Sequence, residues 1–214
     1  MKIPCVEIAE AIKSDLKKQT KQLKKQGVVP KLITILIGDA PEQLSFVSIK
    51  KKVAAEIGIN FEFIHFKKCP SFMDFATKLR ELAHNPQTTG AIIQLPLPSH
   101  LQSDTLYNYI PPVKEIEGHR VKSPHLPPLG LAVISLLKFI VKPQHKPQVM
   151  YPDPLTDKTL FKQFLKHKKI VLAGRGITGG HAIGKTLNEF KINFINVNSQ
   201  THDPNQYYKE ADII

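Results

Sequence analysis

The sequence predicts an α/β protein built as two α/β domains, and three observations carry that expectation. Strand-like apolar runs at 32–37, 61–66 and 91–95 alternate with helical patterns at 42–57 and 72–83. A beat of roughly thirty residues is the signature of βαβ units, hence of a mainly parallel sheet with flanking helices. A polar, proline-studded stretch at 142–157 (KPQHKPQVMYPDPLTD) reads as a connection between domains. Beyond it a glycine-rich turn lies between a β-like run at 169–173 and a helical pattern at 178–190, which is how a second α/β unit opens.

Composition narrows the function classes. The 214 residues carry 30 Lys+Arg against 18 Asp+Glu, a net charge of +12, and 42% are hydrophobic; such a chain can bury a core and is too apolar to be disordered. Its two cysteines, Cys5 and Cys69, stand outside any CxxC or Cys/His cluster. Neither a disulfide framework nor a metal site is therefore expected, and the compartment is a reducing one. Glu7 and Glu10 fall where a signal peptide would need its apolar core. No stretch nears the ~18 apolar residues of a membrane helix. The expectation is a soluble, cytoplasmic, basic globular protein.

The first element is a helix: Ile8, Ile12 and Leu16 recur every four residues, and seven lysines fall between Lys2 and Lys25, giving a solvated basic face. Such a face attracts nucleic acid or small anionic ligands. No arginine-rich groove helix, RNP-like strand or zinc finger accompanies it, so nucleic acid is not the expected partner. The strand at 32–37 empties into Gly38-Asp39-Ala40-Pro41, and that at 91–95 into Pro96-Leu97-Pro98. Ligands of open parallel sheets bind at these carboxyl-end loops.

Between those strands, the helix at 42–57 closes at Gly58 and places Phe46, Lys50 and Val53 on one face at i, i+4 and i+7. A lysine in an apolar stripe beside an aromatic ring has two readings. It snorkels, its stem covering apolar surface, or it is withdrawn from water and favours the neutral amine that moves protons. Gln94 interrupts an apolar strand just before prolines that forbid ladder pairing. A buried amide there bonds backbone, or else a nearby lysine or ligand. In VKEIEGHR, Glu115 and Glu117 precede a turn at Gly118; either acid could bind a ligand's amino edge or simply face water.

Eleven of the 17 prolines lie between Pro96 and Pro154, yet 130–141 keeps a helical pattern. The domains expected are 1–141, a linker at 142–157, and 158–214. In the last, Gly174, Gly176 and Gly179 match G-x-G-x-x-G directly after a strand and before a helix. The first glycine allows the tight turn, the second lets a pyrophosphate approach, and the third lets helix and strand pack closely. This is a Rossmann-like pattern, continued by a strand at 192–197 and a helix near 205–210. It is incomplete, because the chain ends as a further strand opens at 211–214. No acid closes the 192–197 strand; Asn196, Asn198 and Ser199 stand there, and Arg175 lies in the glycine loop. A guanidinium suits a 2′-phosphate, so NADP is expected in preference to NAD.

These segments resemble, in order along the chain, the bifunctional methylenetetrahydrofolate dehydrogenase/methenyltetrahydrofolate cyclohydrolase family. PKLITILIGDAPEQLSFVSIKKKVAAEIGI looks like that family's first strand, its Gly-Asp-x-Pro turn and its Tyr-Val-x-x-Lys-x-Lys helix. GAIIQLPLP is similar to its Gln-Leu-Pro-Leu-Pro motif, while KEIEG stands where it has Lys-Asp-Val-Asp-Gly, and GRGITGG where it has Gly-Arg-Ser-x-x-Val-Gly. The resemblance implies a catalytic Lys50 positioned by Gln94, Phe46 stacking on the folate's aminobenzoate, and Pro96 and Glu117 at the substrate, with Glu117 in the place of the pterin-binding aspartate. It implies Gly174, Arg175, Gly176, Thr178 and Gly179 along the cofactor phosphates, with Asn198 and Ser199 beside them. The implied chemistry is oxidation of 5,10-methylenetetrahydrofolate with NADP, then hydrolysis to 10-formyltetrahydrofolate, in one-carbon metabolism and purine biosynthesis. A homodimer binding tetrahydrofolate derivatives, away from any membrane, is implied as well.

Departures from the family pattern are specific. Phe46 replaces tyrosine, Glu117 aspartate, Gly176 serine and Ala182 proline; His125-Leu126-Pro127-Pro128 stands for Pro-Cys-Thr-Pro, and 142–157 is longer than usual. The family's last strands and its Pro-Gly-Gly-Val-Gly-Pro segment are missing. Two alternatives follow: cyclohydrolase activity alone, or a non-catalytic basic nucleotide- or RNA-binding protein.

Overall fold

A computed structural model describes residues 2–141 and 151–214, which form two compact units: Glu10–His125, and residues up to Ala9 with Leu126–Ile214. In the first, β1 (Lys31–Ile37) is a β-branched and aliphatic run buried from Ile33 to Ile37, as a strand covered on both faces must be. It pairs in parallel with β2 (Asn60–Phe66) and β3 (Gly90–Ile93), giving the order β2-β1-β3. Lys31 lies opposite Asn60, and Leu32 opposite Gly90.

Parallel strands need crossovers, and two helices supply them. α2 (Pro41–Ile57) starts on a proline, which has no N–H to leave unpaired, and stops at Gly58 with φ 80°. α3 (Phe72–His84) is capped by Ser71, whose hydroxyl accepts the Asp74 N–H. It buries Phe75, Ala76, Leu79 and Ala83 against Ile33, Ile35, Ile37 and Ile93. Helix α1 (Cys5–Lys25) is held in this unit by Lys13, which donates to Glu56 at 3.0 Å, and by Thr20, whose hydroxyl donates to Ile57 O.

After β3 the chain makes 3₁₀ turns at Ser99–Leu101, Asp104–Tyr109 and Pro112–Lys114. It then returns to β3: Glu115 forms a parallel bridge to Ala91, and Lys114 Nζ donates to Ala83 O at 3.0 Å and to Asn85 O at 2.9 Å. The 115–120 loop is thereby fixed at the edge of β3.

The second unit holds α4 (Pro128–Val141), α5 (Pro154–Leu165), β4 (Val171–Ala173), α6 (Gly180–Glu189), β5 (Ile195–Val197) and α7 (Pro204–Glu210). β4 and β5 are parallel, and Ile213 bridges Ile170 in parallel. Phe161, Ile134, Leu137, Leu187 and Phe190 form its core.

Here the structure departs from the expected boundaries. Helix α4, read as the end of a 1–141 domain, belongs with Leu126–Ile214 because it packs on α6. The contact is close: a Cβ on Gly130 would lie 1.9 Å from Thr186 Oγ1 and 3.0 Å from Ala182 O. Residues 142–150 of the expected linker lie outside the described residues, but its end is helical. Asp153 caps α5 by accepting the Leu155 N–H, Pro154 takes the first turn, and the Asp157 carboxylate accepts from Lys138 at 2.8 Å. Among the described residues, no helix is long and apolar enough to cross a membrane.

Replacing Gly130 by alanine forces α4 and α6 apart. We expect a loss of about 1–3 kcal/mol, the usual range for overpacking, read as a lower urea midpoint with an unchanged slope.

Candidate active site

The carboxyl end of β1 organises the first cluster. Gly38 turns the chain at φ 89°, and His65 at the end of β2 holds that turn through Nε2, 2.9 Å from Gly38 O and 3.1 Å from Asp39 Oδ1. Helix α2 leaves the turn with a buried stripe of Gln43, Val47, Ala54 and Ile57; Lys50 falls in the same i, i+4, i+7 rows and is half-buried. The stripe is therefore not the Phe46–Lys50–Val53 face that was expected. Phe46, one turn before Lys50, is 58% exposed and offers its ring to solvent.

Gln94 follows β3, and its N–H continues the ladder to Ile35 O at 2.8 Å. Its buried side chain is used at both ends: Oε1 accepts from Lys50 Nζ at 3.0 Å, and Nε2 donates to Leu95 O at 3.0 Å. Gln43, which the sequence did not single out, donates from Nε2 to Pro96 O at 2.9 Å, tying α2 to the proline turn.

The two acids of the loop separate. Glu115 is 1% exposed and structural: its carboxylate accepts the N–H of Glu117 at 3.0 Å and that of Arg120 at 3.4 Å. Glu117 is thereby aimed inward, with Oε1 3.7 Å from Lys50 Nζ and Oε2 3.8 Å from His119 Nε2. His119 stacks on Tyr107 with centroids 4.8 Å apart and planes at 28°. Burial pushes the Glu117 carboxyl up to about 7; Lys50 opposes that rise and the neighbouring Glu115 charge adds to it. Burial, reinforced by the charges of Glu117, Glu115 and Asp104, holds the Tyr107 phenol well above its usual range. Neither Tyr107 nor His119 carries a sequence signal, because both act through neighbours brought in by the return of the chain to β3.

The second cluster is the glycine turn. Gly174 adopts φ 98° and donates its N–H to Val197 O at 2.7 Å. The close approach expected at Gly179 occurs at Gly180 instead: a Cβ there would lie 2.1 Å from Gly174 O, whereas one at Gly179 or Gly176 would meet nothing within 4 Å. Arg175 Nε donates to Asn196 Oδ1 at 2.7 Å, and Asn196 Nδ2 donates to Gly174 O at 2.9 Å. Asn196 thus fixes the arginine over the end of β5. Asn198 Oδ1 accepts the Gln200 N–H at 2.8 Å, while Thr178 and Ser199 are exposed.

The titration of Glu117 makes a stability prediction. Its folded pKa of about 7 lies above the ordinary 4.5, so its contribution is complete below 4.5 and is lost as pH rises through 7. In urea melts across that window, wild type should lose on the order of 3 kcal/mol relative to Glu117→Gln, at about 1.4 kcal/mol per pKa unit. Parallel pH profiles for the two proteins would contradict the assignment.

Residues 3–117, which contain Lys50, Gln94 and Glu117, match the family model for the tetrahydrofolate dehydrogenase/cyclohydrolase catalytic domain. The bifunctional protein FolD of Bacillus licheniformis is 31% identical over 208 residues, 97% of this chain and 69% of the relative. That of Bacillus subtilis is 29% identical over the same shares. Among solved structures, the bifunctional FolD methylenetetrahydrofolate dehydrogenase/cyclohydrolase of Campylobacter jejuni aligns at a TM-score of 0.78 and 25% identity, covering 96% of this chain and 69% of that one. The Trypanosoma brucei enzyme, solved with NADP and an inhibitor, shares the fold at a TM-score of 0.69 and 20% identity, over 97% and 68% of the two chains. The family model spans more than half of the sequence and the relatives align along almost all of it; the chain belongs to the tetrahydrofolate dehydrogenase/cyclohydrolase family.

Proposed function

We propose that this protein works in folate one-carbon chemistry: it oxidises 5,10-methylenetetrahydrofolate to the methenyl form with NADP and hydrolyses that product to 10-formyltetrahydrofolate. The observation that carries the reading is Lys50, held between Gln94 Oε1 at 3.0 Å and Glu117 Oε1 at 3.7 Å, inside the segment that matches the family model.

Each residue has a role in this reading. Phe46 gives an exposed ring on which the aminobenzoate of the folate stacks. Glu117 accepts from the amino edge of the pterin, and the proline turn at Pro96, tied down by Gln43, walls the site. For hydrolysis, water must lose a proton as it adds to the methenyl carbon. Lys50 is the group that moves it, oriented by Gln94, whose amide is itself fixed by Leu95 O. Oxidation asks mainly for orientation, since the folate nitrogen's own electron pair drives hydride loss.

The glycine turn fits a dinucleotide that carries a 2′-phosphate. A side chain is absent at Gly176, where a Cβ would enter open space. The end of β5 presents Asn196 and the Arg175 guanidinium rather than a carboxylate. NADP, when bound, supplies the hydride acceptor. Gly174, Gly176, Thr178 and Gly179 would line its phosphates, Arg175 its 2′-phosphate, and Asn198 and Ser199 its ribose. A cytoplasmic homodimer is the working form in this reading. Nucleic acid has no part in it, because the lysines of α1 form a solvated face on which Lys13 pairs with Glu10 and Glu56.

The decisive assay follows the methenyl chromophore. Wild type should form it from methylenetetrahydrofolate with NADP and then remove it; a folded protein that did neither would overturn the proposal. Lys50→Met should slow hydrolysis by roughly 10²–10⁴-fold. Arg175→Ala should raise the KM for NADP about tenfold or more, through the loss of a charge-assisted hydrogen bond, and leave that for NAD almost unchanged; equal effects on both cofactors would exclude the 2′-phosphate role.

A further inference from the structure

Any proton handled by Lys50 needs somewhere to go, and the surroundings leave one route. Among the described residues, Lys50 Nζ contacts Gln94 at 3.0 Å and Glu117 at 3.7 Å. The Gln94 amide does not titrate, and the ring one turn earlier on α2 is Phe46, with no hydroxyl to join a relay. Glu117 is the outlet. Its second oxygen faces His119 Nε2 at 3.8 Å, so one carboxyl group addresses the amine with Oε1 and the imidazole with Oε2.

The surroundings of His119 suit it to receive that proton. Stacking on Tyr107 fixes the ring plane, and the side chain keeps 16% exposure, which leaves an edge toward water. Burial sets Glu117 near 7, so this carboxyl group can take up and give back a proton around neutral pH. The other charged or titratable groups nearby have other partners. Glu115 accepts backbone N–H groups, Arg120 donates to Tyr107 O at 3.1 Å and Ile110 O at 2.9 Å, and the Tyr107 phenol keeps its proton. Asp104 acts on this group only through its charge on Tyr107.

We propose that Lys50, Glu117 and His119 form a proton line that carries to solvent the proton released when water adds to the methenyl carbon. This rests on the folate reading given above. As the 3.7 and 3.8 Å gaps close to hydrogen-bond distance in the substrate complex, Lys50 first gives a proton to the Glu117 carboxylate, which passes it to His119. The freed amine takes a proton from the attacking water as its oxygen bonds to carbon. The carbon–nitrogen bond of the ring then breaks, its electron pair returns to nitrogen, and the remaining hydroxyl proton moves to that nitrogen as the carbonyl forms. Lys50 ends as it began, and His119 releases the one proton of the net reaction. His119 acts through Glu117 and is a positioning and relay residue, not one that touches substrate.

His119→Phe and His119→Ala test the line. The rate of methenyl hydrolysis should fall about tenfold to a hundredfold with little change in KM, and its pH profile should lose the limb that wild type shows near neutrality. Added imidazole should restore much of the rate to His119→Ala in proportion to its free-base concentration; a packing role predicts no such rescue. Independently of turnover, the His119 ring titration followed by NMR should move to lower pH in Glu117→Gln, which removes the facing carboxylate. Hydrolysis by wild type together with unchanged rate and pH profile in both His119 variants would overturn the line alone, as would an unmoved titration. Absence of hydrolysis in wild type would overturn the folate reading and the line with it.

Discussion

Everything in the first unit is referred to the carboxyl end of β1. The strand is buried on both faces from Ile33 to Ile37 and pairs in parallel on both edges, which fixes its position and register. From that fixed end, Gly38 launches α2 and sets where Lys50 points, while Gln94 is placed by its N–H bond to Ile35 O. His65 locks the same turn from β2. A lysine and a glutamine 44 residues apart meet because both are measured from one strand. That is the economy of a parallel sheet: its side chains of chemical interest gather where the strands end.

The second constraint is electrostatic. Bringing a carboxylate in from water is costly, and a nearby ammonium offsets only part of the cost. At Glu117 burial outweighs the lysine, which is why the carboxyl sits near 7. The offset depends on Glu115, which adds like charge yet is needed, because its two oxygens hold the loop N–H groups that turn Glu117 inward. One acid is spent as a structural acceptor so that the other can be held beside Lys50. Two carboxylates two residues apart thus acquire opposite jobs, and the backbone bridge of Glu115 to Ala91 decides which is which.

Much of this was legible in the sequence, and the rest was hidden for identifiable reasons. Period and punctuation revealed the strands and helices around Lys50 and Gln94, since local pattern fixes them. The same pattern misjudged α2's inner face: it took Phe46 and Val53 as the face around Lys50, but Gln43 is buried there because its amide has the Pro96 carbonyl to bond. Polarity alone could not reveal that partner. α4 was given to the wrong unit because its apolar face was visible while its partner was not; the clue was Gly130, small where Thr186 comes close. α5 went unseen because prolines at its start read as a loop, although Asp153-Pro154 is also a helix cap. Tyr107 and His119 had no motif at all, for they meet only by tertiary return.

The two βα turns of this chain solve one problem in two ways. Each leaves a parallel strand through a glycine at positive φ, Gly38 at 89° and Gly174 at 98°. After Gly38 the helix begins with Pro41, and side chains tie the turn to its neighbours: Asp39 to His65, and Gln43 to Pro96 O. The side chain of chemical interest on this helix stands further along it, at Lys50. After Gly174 the helix begins with Gly180, pressed against the Gly174 carbonyl so closely that no Cβ fits. Of the intervening residues, Gly176 and Gly179 carry no side chain, Ile177 is 54% exposed, and Arg175 is drawn aside by Asn196. Gly176 O accepts the N–H groups of Gly179 and His181 at 3.1 Å, and in the reading proposed above the remaining N–H groups at this helix start face the phosphates. The two turns therefore differ in which residues fill the segment between the strand and its helix.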